Sequence, residues 1–191
     1  MGSSSPTSPF TTRPPLLALQ IVQCEIDERV VAVSKQFLGH VTAKSFNDPR
    51  VALHFMDAAE YMKAHAAEFD VIIVDSSDPV GPAETLYTSD FYRNMHQALR
   101  PNGIVCTQGE CMWLHLDLIH RVMTDAKAMY PTVDYGYSCV PTYPSGQIGF
   151  IIATKMAEGE CGWGGVGSSL RCAVWGHVEL GPYHMATPLT R

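Results

Sequence analysis

Val71-Ile72-Ile73-Val74 is a run of branched apolar side chains that leads directly into Asp75-Ser76-Ser77-Asp78-Pro79-Val80-Gly81-Pro82-Ala83-Glu84. Four consecutive β-branched residues indicate a strand that is buried on both faces, as in a parallel sheet. The segment behind this strand carries carboxylates at Asp75 and Asp78, and its two prolines restrict the backbone around them. Turn and helix-cap chemistry accounts for single Asp and Ser residues, but not for this combination. Because open α/β sheets bind ligands beyond the carboxyl ends of their strands, the stretch predicts a functional site.

Other apolar runs alternate with segments of helical periodicity on both sides of this stretch. The predicted strands are Ile21–Cys24, Val51–Phe55, Val71–Val74, Ile104–Cys106, Val133–Val140 and Ile148–Ala153. The predicted helices are Glu28–Leu38, Ala58–Ala67, Ser89–Leu99 and Trp113–Met129. This alternation predicts an α/β protein with a mostly parallel sheet, in which the last two strands form an antiparallel hairpin at one edge.

Composition divides the chain into three parts. Residues 1–19 are rich in Ser, Thr and Pro and are expected to be disordered or atypical. Residues 20–155 hold the alternating pattern of one domain. Residues 156–191 contain Gly162-Trp163-Gly164-Gly165-Val166-Gly167 and have no clear periodicity, so we expect an irregular tail.

Charge and hydropathy exclude several classes of function. The 191 residues are 46% hydrophobic with a formal net charge of -6, which argues for a globular domain and against a nucleic-acid binder. No apolar run approaches the roughly 18 residues of a membrane span, and no secretory signal is evident, so we expect a cytosolic protein without a membrane partner. Residues 68–117 hold eight acidic and two basic side chains, which would attract a cationic substrate.

Acidic residues also follow the first two predicted strands. Glu25 and Asp27 lie where nucleotide-binding sheets present a carboxylate to the ribose hydroxyls. Asp27 immediately precedes a predicted helix, so we interpret it as an N-cap and Glu25 as the ribose ligand. Asp57 ends the second strand in the same way. No metal site is predicted, because His115 and His120 are five residues apart and do not share a helix face well.

Several segments match one family pattern in order and spacing. They are Val22–Asp27, Asp75–Glu84, Gln108–His115 and Pro141–Phe150. On these segments the chain resembles the polyamine synthase family of aminopropyltransferases. The resemblance runs from about Gln20 to Lys155, which makes residues 20–155 a partial catalytic domain.

The resemblance implies a methyltransferase-like Rossmann sheet and a specific reaction. An aminopropyl group would move from decarboxylated S-adenosylmethionine, a co-substrate, to putrescine, giving spermidine and methylthioadenosine without a further cofactor. The residue roles that it implies are Glu25 at the ribose, Asp57 and Ala58 at the adenine, Asp75 as proton acceptor, Asp78 and Tyr143 as amine-positioning groups, and Gln108 in the pocket wall.

The chain also departs from the family pattern. Members begin with a small β-rich domain, a first strand and a Gly-Gly-Gly-Asp-Gly-Gly loop, none of which is recognisable here, and Met56-Asp57-Ala58 replaces a usual Gly-Asp-Gly. The missing strand would be central, so its neighbours are expected to lack backbone partners unless a homodimer or a strand from Pro15 to Gln20 supplies them.

Three functions stay open on the sequence. The first is an aminopropyltransferase. The second is an amine N-methyltransferase that uses intact S-adenosylmethionine. The third is an inactive homologue that at most binds a partner.

Overall fold

The computed structural model describes residues 20–157 and the backbone of residues 171–175. The described strands are β1 (Gln20–Glu25), β2 (Val51–Phe55), β3 (Phe69–Val74), β4 (Leu99–Gln108), β5 (Thr132–Cys139), β6 (Gln147–Thr154) and β7 (Arg171–Trp175). The α-helices are α1 (Glu28–Leu38), α2 (Ala58–Lys63), α3 (Ser89–Ala98) and α4 (Leu116–Lys127). Three short 3-10 helices span Ala43–Asn47, Gly81–Tyr87 and Pro144–Gly146.

The described strands form one mixed sheet in the order β2-β1-β7-β3-β4-β6-β5. The first five strands of that order are parallel, whereas β6 runs antiparallel to both β4 and β5. This arrangement confirms the predicted α/β fold with an antiparallel hairpin at one edge.

Strand β7 corrects the expectation of an irregular tail over residues 156–191. Its backbone pairs in parallel with β1 on one side, where Ala173 faces Val22, and with β3 on the other, where Ala173 faces Ile72. The predicted unpaired backbone between these neighbours is therefore absent, since β7 supplies both sets of partners. Five residues after a glycine-rich segment are too few to show a period, and long-range pairing determines the strand. Residues 1–19, including the alternative strand segment before Gln20, and residues 158–170 and 176–191 of the tail lie outside the described residues.

Helices α1 and α3 have bounds close to the predicted ones, whereas α2 ends at Lys63, four residues before the predicted Ala67. The carboxylate of Asp27 accepts a hydrogen bond of 2.8 Å from the amide of Arg29, which confirms Asp27 as the N-cap of α1. Helix α4 starts at Leu116, later than predicted, because the preceding residues form a turn closed by the amide of His115 on the carbonyl of Cys111, at 2.9 Å.

The core lies between the sheet and helices α2, α3 and α4. Its largest fully buried side chains include Phe69, Ile72, Met95 and Leu99, and burying a side chain of this size contributes about 1.5–3 kcal/mol. Strands β3 and β4 pair side by side above this core, and candidate site residues lie at the carboxyl end of each strand.

Within residues 20–157, no helix is long and apolar enough to cross a membrane. The same residues contain no group of three or more His, Cys, Asp or Glu side chains arranged to hold a metal ion.

Candidate active site

The strand register places Glu25, Asp75 and Gln108 in one row. Cys24 of β1 pairs with Trp175 of β7, which pairs with Val74 of β3 and through it with Thr107 of β4. One residue further along each strand, the three candidate residues therefore lie at the same sheet edge. Because strands are about 4.8 Å apart and β7 lies between them, the backbones of Glu25 and Asp75 are separated by about 10 Å.

The two carboxylates predicted for the nucleoside both bind nearby backbone amides. Glu25, half-buried, accepts a hydrogen bond of 2.9 Å from the amide of Asp27. Asp57 is the N-cap of α2 and accepts a hydrogen bond of 2.7 Å from the amide of Ala59, and Ala58 is the first residue of that helix. Capping is thus a structural role of Asp57, while its predicted contact with adenine stays a prediction.

The acidic loop, defined as Asp75–Asp78, leaves the end of β3 and continues into the 3-10 helix Gly81–Tyr87. Asp75 and Asp78 are exposed, whereas Ser76 between them is half-buried. The amide of Val80 donates to the carbonyl of Asp78 at 2.7 Å, which forms a tight turn directly after the loop. Both carboxylates therefore lie beyond the sheet edge, where a ligand can reach them.

Tyr143 lies in the turn between β5 and β6. Gln108 pairs with Phe150 of β6, which pairs with Gly136 of β5, and β5 continues to Cys139 before the turn. The hairpin thus extends three residues, about 10 Å, beyond the row of candidate residues. Tyr143 is 43% exposed at the tip of this extension, and Gln108 is buried at its base.

Glu110 is a buried carboxylate that sequence reasoning did not single out. Its side chain accepts a hydrogen bond of 3.2 Å from the hydroxyl of Tyr87, and Nδ1 of His115 lies 3.2 Å from its other oxygen without hydrogen-bond geometry. The sequence feature that could have identified Glu110 is its position two residues after Gln108, just beyond the end of β4.

Tyr87 is also buried and had no signal in the sequence, because its contacts depend on tertiary structure. Its hydroxyl oxygen lies 3.1 Å from Oγ of Ser76 and 3.2 Å from the carbonyl oxygen of Ser77. Burial raises the pKa of Tyr87 above its ordinary value, and the neighbouring Glu110 carboxylate raises it further, whereas the Ser76 hydroxyl lowers it. The hydroxyl therefore stays protonated at neutral pH.

A family model for the spermine/spermidine synthase domain matches residues 17–161 of the chain. The chain belongs to the spermine/spermidine synthase family. This result confirms the resemblance inferred from Asp75–Glu84 and the three accompanying segments.

Curated relatives in the family extend well beyond the matched region. The chain is 46% identical to a spermidine synthase of Schizosaccharomyces pombe over 139 residues, which cover 73% of this chain and 46% of the relative. It is 46% identical to a spermidine synthase of Dictyostelium discoideum over 138 residues, which cover 72% of this chain and 48% of the relative. The chain thus spans about half the length of the curated relatives that it matches.

Solved structures of family members share the fold. A spermidine synthase in complex with the transition state analogue AdoDATO superposes with a TM-score of 0.68 at 28% identity, covering 73% of this chain and 47% of that one. The spermidine synthase of Thermotoga maritima gives a TM-score of 0.66 at 24% identity, covering 75% of this chain and 56% of that one. The second similarity supports the fold alone.

Proposed function

We propose that the chain catalyses aminopropyl transfer from decarboxylated S-adenosylmethionine to putrescine, giving spermidine and methylthioadenosine. The observation that carries the proposal is the row of Glu25, Asp75 and Gln108 at the carboxyl edge of a sheet of this family. Curated relatives named spermidine synthase support the same reaction.

The donor is proposed to bind along β1 and β2. Glu25 would accept hydrogen bonds from the ribose hydroxyls, and Asp57 with Ala58 would lie at the adenine. The separation of about 10 Å between Glu25 and Asp75 suits a nucleoside whose sulfonium and propyl chain reach toward β3. The donor acts as a co-substrate, and no further cofactor is proposed.

The acceptor is proposed to bind between the acidic loop and the β5–β6 hairpin. Putrescine is a dication at neutral pH, and the exposed carboxylates of Asp75 and Asp78 would attract it. Tyr143 would position the amine from the hairpin side, and Gln108 would form the base of the pocket. Binding between two rigid elements aligns the amine nitrogen with the reacting carbon.

The chemical step is a displacement at carbon. The ammonium group of putrescine first loses a proton to Asp75, and the freed lone pair on nitrogen then forms a bond to the methylene carbon while the carbon–sulfur bond breaks with its electron pair on sulfur. For unperturbed groups the proton transfer is unfavourable by about 9 kcal/mol, from amine and carboxyl pKa values of about 10.4 and about 3.9. Bound substrate excludes water, which raises the pKa of a carboxyl group and lowers that of an amine. The sulfonium also lowers the amine pKa, because it disfavours a second cation, so both effects bring the two pKa values closer together.

We propose a cytosolic enzyme whose substrates are small amines and nucleosides, with no nucleic-acid or membrane partner. A homodimer also stays a prediction.

Turnover of the purified chain and of Asp75→Asn tests the proposal through methylthioadenosine release. Asp75→Asn should lower kcat by orders of magnitude and leave donor binding, measured by calorimetry, nearly unchanged. Asp90→Asn is the matched control, because Asp90 is exposed at the start of α3 and forms an ion pair with Arg93, away from the acidic loop. Equal turnover in the wild type and Asp75→Asn would remove Asp75 from the mechanism.

A further inference from the structure

Tyr87 joins the acidic loop to the end of β4 through one hydroxyl group. The hydroxyl contacts Oγ of Ser76 at 3.1 Å and the carbonyl of Ser77 at 3.2 Å, both within the loop. On its other side it donates to Oε1 of Glu110 at 3.2 Å. The contacts bridge 10 to 11 residues on the loop side and 23 on the β4 side, so they are tertiary contacts.

Glu110 is held firmly enough to act as an anchor. Its carbonyl accepts hydrogen bonds from the amide of Gly149 at 2.8 Å and from the hydroxyl of Tyr135 at 2.9 Å. A Cβ at position 149 would lie 2.4 Å from that carbonyl oxygen, so the close approach requires glycine. Glu110 itself has a φ of 57°, a conformation rare for non-glycine residues that the surrounding contacts must maintain.

The numbers of donors and acceptors around the Tyr87 hydroxyl determine which group donates each hydrogen bond. A tyrosine hydroxyl carries one proton, and Ser77 and Glu110 both present acceptors to it. The Glu110 carboxylate is the stronger acceptor when ionised, and the Ser76 hydroxyl is free to donate to the Tyr87 oxygen. Removing the Tyr87 hydroxyl would leave the buried Glu110 carboxylate without this donor and Ser76 without this contact.

We infer that Tyr87 is a positioning residue that fixes the acidic loop, and with it Asp75 and Asp78, relative to Gln108 at the end of β4. The inference rests on the proposed function, since it assigns Tyr87 to the acceptor side of that site. Loss of the hydroxyl would let the loop sample other positions, so that the amine binds in fewer productive orientations. The donor, placed along β1 and β2, would be affected little.

Tyr87→Phe tests the inference, because it retains the buried ring and removes only the hydroxyl. Tyr130→Phe is the matched control, since Tyr130 is equally buried and its hydroxyl donates to the backbone carbonyl of Tyr92 at 3.1 Å, away from the loop. The first readout is the pair of KM values for putrescine and for decarboxylated S-adenosylmethionine. The second is amide hydrogen exchange of residues 75–80, which does not depend on turnover.

In Tyr87→Phe we expect the KM for putrescine to rise about tenfold, the magnitude typical of losing a hydrogen bond to a charged group, with the donor KM changed less than about twofold. Exchange at residues 75–80 should accelerate in Tyr87→Phe and stay at the wild-type rate in Tyr130→Phe. Exchange and amine KM values that match those of Tyr130→Phe would overturn the inference. A wild-type chain that transfers no aminopropyl group, but whose loop exchange still responds to Tyr87→Phe, would refute the proposed reaction and leave the role of Tyr87 in positioning the loop supported.

Discussion

The central position of β7 gives a sharp prediction for Ala173→Pro. Ala173 faces Val22 of β1 and Ile72 of β3, so both of its neighbours are strands. Proline removes the amide hydrogen and one hydrogen bond of the ladder, and its ring displaces the adjacent strand. Proline is therefore tolerated at sheet edges but not at this position.

The expected loss of folding free energy follows from the pairing of β7 with β1 and β3. One carbonyl of β1 or β3 loses its donor, at a cost of about 1–3 kcal/mol, and displacement of the strand brings the total to at least about 3 kcal/mol. For a chain of this size, about 2–4 °C of Tm is lost per kcal/mol, so Ala173→Pro should lower Tm by at least about 6 °C. Ala173→Gly keeps the amide hydrogen and should cost only about 0.5–1 kcal/mol.

Thermal unfolding followed by far-ultraviolet circular dichroism compares the two variants. Hydrogen exchange at Val22 and Ile72 reports on the neighbours directly, and it should accelerate in Ala173→Pro alone. If Ala173→Pro fails to fold while Ala173→Gly folds, the loss of stability is larger than the predicted minimum and the placement of β7 is supported. Equal Tm values for the two variants, with unchanged exchange in β1 and β3, would refute the placement of residues 171–175 in the sheet.

Two further predictions concern the acceptor site and the pH dependence of stability. Asp78→Ala and Tyr143→Phe should each weaken putrescine binding more than donor binding in calorimetry, because their proposed partners are amine groups, and equal losses for both ligands would contradict the assignment. Burial lowers the pKa of His96, and the nearby charge of Lys155 lowers it further, so the unfolded chain binds more protons just below the ordinary histidine pKa of about 6.5. The free energy of unfolding should therefore fall as the pH is lowered from about 7.5 to about 5.5, and less steeply in His96→Gln, as urea unfolding at each pH would measure.

Much of the fold could be predicted because local pattern and tertiary structure agree over residues 20–155. Val71–Val74 is apolar on both faces and lies inside the sheet, and Glu28–Leu38 has both an N-cap and helical periodicity. Strand β7 was not predicted, because its position depends on pairing with β1 and β3, which are distant in sequence. Strand β4 is longer than the predicted Ile104–Cys106, because it begins at Leu99 and includes Pro101-Asn102-Gly103, an irregular stretch between the paired residues Leu99 and Ile104.

The site shows the same division between local and tertiary information. Glu25 and Asp75 each follow a predicted strand, so the sequence places them at the carboxyl edge of the sheet, whereas Gln108 was implied only by the family resemblance and ends β4 in the structure. Tyr87 and Glu110 are 23 residues apart and meet only in the folded chain. No sequence period connects a residue at the end of a 3-10 helix to one that follows a strand, so this contact required the structure.

Mass spectrometry of the reaction products tests the proposed aminopropyl transfer most directly. The purified chain would be incubated with putrescine and either decarboxylated or intact S-adenosylmethionine, with Asp75→Asn run in parallel. The proposal predicts spermidine and methylthioadenosine in equal amounts from the decarboxylated donor, and no methylated putrescine from the intact donor. Methylated putrescine from the intact donor, or no product from a folded chain that binds both substrates, would contradict it.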